Sequence, residues 1–113
     1  MNVGEYVRTK NGTIAKIKKI FEKANYVFLD VNNYVCGKEN IIKSSPQIID
    51  LIEVGDYVNG KKVIDVYSDY IFDYSEEFKV IRFSETDILY NSKHIETVLT
   101  HEQMETIQYR VEE

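Results

Sequence analysis

Paired carboxylates, two histidines and one cysteine are the side chains whose types could support bond-making chemistry in this chain. Glu76-Glu77 and the neighbouring Glu85 and Asp87 have the composition that acid–base catalysis uses. That chemistry needs one carboxyl among apolar neighbours, so that its proton affinity rises while its partner stays ionised. Both groups instead lie beside turn-forming polar residues, and solvated loop charge is the expected state. His94 and Glu96 have strand spacing that places two side chains on one face, and His101 could join them as a ligand. Zinc sites, however, draw three or four ligands from tighter Cys/His patterns. Cys36 is far in sequence from both histidines and reads as a small, half-buried residue rather than an activated thiol. The chain has neither a glycine-rich phosphate loop nor a serine in a strand–turn–helix elbow. These residues predict a non-enzymatic protein with no cofactor and no metal.

Two groups of residues suggest binding instead. Arg8, Lys10, Lys16, Lys18, Lys19 and Lys23 cluster on a first hairpin with Tyr6, Tyr26 and Phe28 nearby. Cations on phosphates and aromatic faces under bases are how small barrels hold single strands. The same lysines could equally keep a two-stranded ribbon soluble and block stray pairing. The second group runs from Asp65 to Phe78, where Tyr67, Asp69, Tyr70, Asp73, Tyr74, Glu76 and Glu77 form a mixed aromatic and acidic patch. Tyrosine offers wide, stiff contact area with a polar tip, and interleaved carboxylates favour a basic partner. The alternative is that Tyr67, Phe72 and Phe78 are core and the acids decorate a hairpin. A third possibility is a pocket that sequesters a nucleotide or another small molecule, formed within one chain or between identical subunits.

Composition agrees with a binding protein of modest size. At 113 residues with 43% hydrophobic content, the chain suits one compact domain or two very small ones sharing a core. The formal charge of −5 is unevenly distributed. Residues 1–43 carry eight Lys/Arg against four Asp/Glu, and residues 44–113 carry six against fifteen. The halves therefore present different surfaces or face each other. Apolar runs are far too short for a membrane span, and the charged first twenty residues argue against an export signal. A single cysteine fits a reducing cytoplasm.

The elements that must position these residues follow from a repeated phrase. Val3-Gly4-Glu5-Tyr6-Val7 and Val54-Gly55-Asp56-Tyr57-Val58 each precede an Asn-Gly pair, Asn11-Gly12 and Asn59-Gly60. Both read as the opening strand of a small curled sheet followed by a tight turn. The chain is expected to be mainly β, built of two small SH3-like or barrel-like units with short helical turns. One is a basic meander over 1–43 and the other an acidic barrel over 44–113. The apolar phase slips between Ile17 and Ile20, which predicts a β-bulge near Lys18-Lys19. Ser44-Ser45-Pro46 predicts the start of a short connecting helix over 46–53. Thr100-His101-Glu102-Gln103 has the spacing of a capping box and predicts one helical turn. Strands are expected at Lys62–Tyr67, Phe78–Phe83, Ile88–Tyr90 and Ile95–Leu99, and the alternation of Ile107, Tyr109 and Val111 predicts a closing strand.

The stretch from Ser45-Pro46-Gln47 through Asn59-Gly60, with the ending Val98-Leu99-Thr100-His101-Glu102-Gln103-Met104-Glu105-Thr106-Ile107, resembles a group of small uncharacterised proteins. These are encoded by phages and prophages of Gram-positive bacteria. The resemblance covers residues 40–66 and 94–111 and carries no catalytic or binding residue with it. It implies an accessory protein of the host cytoplasm that binds a host factor, as in counter-defence or host-takeover inhibition.

Overall fold

The two Val-Gly-acid-Tyr-Val phrases take the same local structure. Gly4 and Gly55 both adopt left-handed backbone, with φ of 90° and 96°. Gly4 N–H donates to Ile17 O while Ile17 N–H donates to Glu5 O, and Gly55 N–H donates to Val63 O while Val63 N–H donates to Asp56 O. Each phrase thus clamps an incoming strand by the same pair of backbone bonds. The computed structural model describes residues 1–31, 34–71 and 76–107. It is mainly β, with two small barrel-like units, each around its own core, and short helical turns between strands.

The first unit is one antiparallel sheet. Its strands are β1 (Tyr6–Thr9), β2 (Ile14–Ile20), β3 (Tyr26–Leu29), β4 (Val35–Gly37) and β5 (Ile41–Ser45), in the order β4-β3-β2-β1-β5. Ala15 and Ile17 point inward from β2 by the two-residue period. The register then shifts between Ile17 and Lys19, so that Lys18 and Lys19 both face solvent and Ile20 returns to the core formed by Val7, Ile17, Val27, Leu29 and Cys36. The expected bulge is present. Strand β5 pairs with β1 through Tyr6↔Ser45 and Val7↔Ser44. Ser44 and Ser45 therefore belong to the first sheet, and the change of unit falls after Ser45 rather than at residue 44.

The expected connecting helix over 46–53 is only a 3-10 turn, Ile48–Leu51. Ser45 Oγ does accept from Gln47 N–H at 3.1 Å, and it donates to Asp50 Oδ2 at 2.6 Å. The turn stays short because Ile49, Leu51 and Ile52 are all buried, which a narrow apolar stripe on a regular helix would not achieve. In the second unit, Asn59 (φ 52°) and Gly60 (φ 81°) form the two-residue turn between β6 (Tyr57–Val58) and β7 (Lys61–Lys62). Strand β8 (Asp65–Ile71) pairs with β9 (Glu76–Arg82), which also pairs with β10 (Ile88–Leu89). Strand β11 (Val98–Leu99) joins β6. It is shorter than the expected Ile95–Leu99 because Asn59 Oδ1 takes the Glu96 and Thr97 N–H groups. The expected Lys62–Tyr67 strand is divided between β7 and β8. The core consists of Ile49, Ile52, Val58, Val63, Ile81 and Leu89.

Helix α1 (His101–Ile107) starts with the expected capping box: Thr100 N–H donates to Gln103 Oε1 at 3.2 Å, and Gln103 N–H to Thr100 Oγ1 at 3.4 Å. Ile107 belongs to this helix rather than to a closing strand; Tyr109 and Val111 lie outside the described residues. No described helix is long and apolar enough to cross a membrane.

Candidate functional site

Arg8 was expected on a nucleic-acid-binding face. The structure corrects this, because its side chain is wholly buried between the two units. Strand β1 directs Arg8 across the junction, where Nη1 donates to Asp56 Oδ2 at 2.5 Å and Nη2 to Asp56 Oδ1 at 2.9 Å. Nη1 also donates to Leu51 O at 2.9 Å, and Nη2 reaches Glu102 Oε2 at 2.7 Å. Nε lies 3.3 Å from Glu53 Oε2. Burial alone would weaken the guanidinium's hold on its proton. The hydrogen bond and charge of Asp56, followed by those of Glu102 and Glu53, outweigh burial and raise its pKa. Asp56 is buried too, and its oxygens also accept from Glu53 N–H at 2.8 Å and His101 N–H at 2.9 Å. A buried ion pair with its lone pairs satisfied in this way is strongly held, and removing one partner strands the other.

Around this pair the acidic cluster extends toward solvent. His101 Nε2 lies 3.1 Å from Glu53 Oε1 and 3.1 Å from Glu102 Oε1, and Lys43 Nζ lies 3.3 Å from Glu53 Oε2. Burial would raise the Glu53 pKa, but the His101 hydrogen bond and the charges of Arg8 and Lys43 outweigh it and lower the pKa below its ordinary range. Sequence reading missed this cluster. Its members come from β1, β5, the loop after the 3-10 turn and α1, and no local spacing links them.

The aromatic and acidic residues of the second group are placed by the β8–β9 hairpin. The register pairs Tyr67 with Val80, Asp69 with Phe78 and Tyr70 with Glu77. Tyr67 and Asp69 therefore share one face with Val80 and Phe78, and Tyr70 shares the other with Glu77. The residues named from the sequence form two surfaces rather than one. On the first face, Tyr67, Asp69, Phe78, Val80, Ile88 and Tyr90 line a groove of about 480 Å³. Phe78 and Tyr90 meet edge to face, with ring centroids 5.9 Å apart. Arg82 stacks 5.2 Å from the Tyr67 ring centroid and donates to its hydroxyl at 3.3 Å. This bond, with the nearby Asp65 and Glu85 charges, raises the Arg82 pKa. A second groove of about 430 Å³, lined by Asp50, Ser68, Glu76, Glu77 and Lys79, adjoins the first and shares Gln47, Phe78 and Tyr90 with it. Asp69, Glu76 and Glu77 are exposed, while Asp73 and Tyr74 lie outside the described residues. Ile88 and Tyr90 extend the first face and were not among the residues expected there, although the sequence does mark them as a short strand.

The other basic residues remain outside. Lys10, Lys16, Lys18, Lys19, Lys23 and Tyr26 are exposed. Lys16 Nζ sits 5.2 Å from the Tyr6 ring centroid and Lys19 Nζ 4.9 Å from that of Phe21, so both already contact aromatic faces of their own sheet. His94 and Glu96 do not join His101: His94 ends a 3-10 turn (Ser92–His94) beside Asn59, whose side chain donates to His94 O at 2.7 Å. Cys36 is buried, and burial together with the Glu39 charge raises its thiol pKa, the opposite of an activated nucleophile. Comparison with protein-family models, curated proteins and solved structures finds no match to this chain.

Proposed function

We propose that this is a non-enzymatic accessory protein of a phage or prophage. It acts in the host bacterial cytoplasm by stoichiometric binding to a host protein, as a counter-defence factor or an inhibitor in host takeover. The observation that carries the reading is the apolar exposure beside the groove of the β8–β9–β10 sheet: Ile88 is 46% exposed and Tyr90 61%. Tyr90 lines one groove with Asp69 and the adjoining one with Glu76 and Glu77, and all three carboxylates are exposed. An exposed aromatic bordering two grooves in which carboxylates outnumber cations suits a partner with apolar anchors and a basic rim. The setting in a phage rests on the sequence resemblance.

The test is capture from host lysate with tagged protein. Wild type is expected to retain one host protein in stoichiometric amount, and Ile88→Ala with Tyr90→Ala to lose it without a change in Tm. Equal retention by the double variant contradicts the proposal. A second reading, binding of single-stranded nucleic acid, is favoured by the solvent-facing Lys16, Lys18 and Lys19 on β2. It requires oligonucleotide affinity that falls steeply with salt. Sequestration of a nucleotide is compatible with groove volumes of about 480 and 430 Å³, which lie within the usual size of ligand pockets.

A further inference from the structure

We infer that Glu53, His101 and Glu102 form a binding site for a divalent transition-metal ion, Zn²⁺ by preference, at the seam between the two units. The inference is independent of the hairpin surface. Three donor atoms converge there: Glu53 Oε1, His101 Nε2 and Glu102 Oε1, all within 4.8 Å of one another. His101 Nε2 stands 3.1 Å from each of the two oxygens. A tetrahedral ion with bonds of about 2.0–2.1 Å holds neighbouring donors roughly 3.3 Å apart, so the two His101 distances already suit a coordination shell, and the two carboxylate oxygens, within 4.8 Å of each other, must draw together to complete it. One imidazole nitrogen carries at most one proton and cannot give a linear hydrogen bond to both carboxylates at once. A single cation can satisfy all three groups.

The charge balance and the surroundings point the same way. Glu53, Asp56 and Glu102 place three negative charges around the junction, and Arg8 and Lys43 supply two positive ones. Among these fixed charges one negative charge is left over, and a bound cation compensates it. The two fixed cations do not block the site. Arg8 Nε and Lys43 Nζ both approach Glu53 through Oε2, at 3.3 Å each, which leaves Oε1 turned toward His101. Arg8 Nη2 grips Glu102 at Oε2 (2.7 Å) and also contacts Oε1 at 3.0 Å, an oxygen that can take more than one contact and lies 3.1 Å from His101 Nε2. Arg8 is fully buried and held by Asp56 and Leu51 O, so it orients both carboxylates as outer-shell partners of metal ligands do. The His101 side chain is 37% exposed, which gives an ion a path from solvent and leaves the fourth position to water. One imidazole with two carboxylates suits Zn²⁺ or Co²⁺ rather than Mg²⁺, which prefers an all-oxygen octahedral shell.

The test is calorimetric titration of the full chain with Zn²⁺, together with visible absorption on adding Co²⁺. Wild type is expected to bind one ion per chain and to develop the ligand-field bands of low-coordinate Co²⁺. His101→Ala, and separately Glu102→Gln, are expected to weaken Zn²⁺ binding by at least about tenfold, since even outer-shell changes cost that much. His101→Ala leaves the Arg8–Asp56 pair intact, so its fold is retained, and Tm without metal checks this. The absence of saturable Zn²⁺ binding, or equal affinity in wild type and His101→Ala, overturns the inference. So does a metal-free Tm loss in His101→Ala with no Zn²⁺ effect on wild type, because the cluster is then a hydrogen-bonded clasp and nothing more.

Discussion

Gly12 shows how a single residue can tie distant parts of this chain together. Its φ is 87°, and its carbonyl accepts from Thr100 Oγ1 at 2.8 Å, a residue that also caps α1. A Cβ at position 12 would collide with Thr100 Oγ1 and with Glu102, whereas a Cβ at Gly60 would meet nothing within 4 Å. Gly60→Ala is therefore expected to lose only the left-handed backbone penalty of roughly 1–2 kcal/mol. Gly12→Ala adds a clash that only a shift of the β1–β2 loop away from α1 relieves. Urea unfolding midpoints check this: Gly12→Ala must fall below Gly60→Ala, and equal midpoints would mean that the close approach to Thr100 does not hold.

Among the elements, strands β9 and β10 lie side by side but do different work. Ile81 of β9 is fully buried in the second core, while Ile88 of β10 is 46% exposed on the rim of the groove. Ile81→Ala is expected to cost about 2–5 kcal/mol, and Ile88→Ala to stay within about 0.5 kcal/mol of wild type. Chemical denaturation measures both, and a large loss at Ile88 would place its side chain in the core instead of on a contact surface. Elements of this kind were legible in the sequence where their cause is local. The slipped apolar phase of Ile17 and Ile20 gave the bulge, Asn59-Gly60 gave the two-residue turn, and Thr100 with Gln103 gave the start of α1. The expected helix over 46–53 became a 3-10 turn because burial of Ile49, Leu51 and Ile52 on several sides overrode the Ser45-Pro46 start signal. The candidate binding face was legible only in part. Alternation along β8 distributes Tyr67 and Tyr70 to opposite sides, and Tyr90 joins through β10, a pairing that a single segment cannot reveal.

For the whole molecule, the segregation of charge between the halves has a structural cause, at least in part. Arg8 from the basic half is enclosed by Asp56, Glu53 and Glu102 from the acidic half, so the two units meet through complementary charge as well as through the Thr100–Gly12 contact. This was hidden in the sequence because Arg8 and Asp56 are 48 residues apart and each stands in a phrase that reads as an ordinary strand. The repeat itself supplies the asymmetry. The Glu5 carboxylate, at the place equivalent to that of Asp56, accepts only a local bond from Asn2 Nδ2 at 2.9 Å among the described contacts, whereas Asp56 faces the guanidinium. Arg8→Met leaves Asp56 buried without its cation, and breaking a buried pair in this way costs about 3–5 kcal/mol. Hydrogen exchange resolved by segment is the measurement that decides whether this junction makes the two units into one cooperative body. In Arg8→Met, protection of β3 in the first core and of β9 in the second is expected to fall together by that amount. Loss of protection in β1 and its neighbours alone, with β9 unchanged, would contradict it.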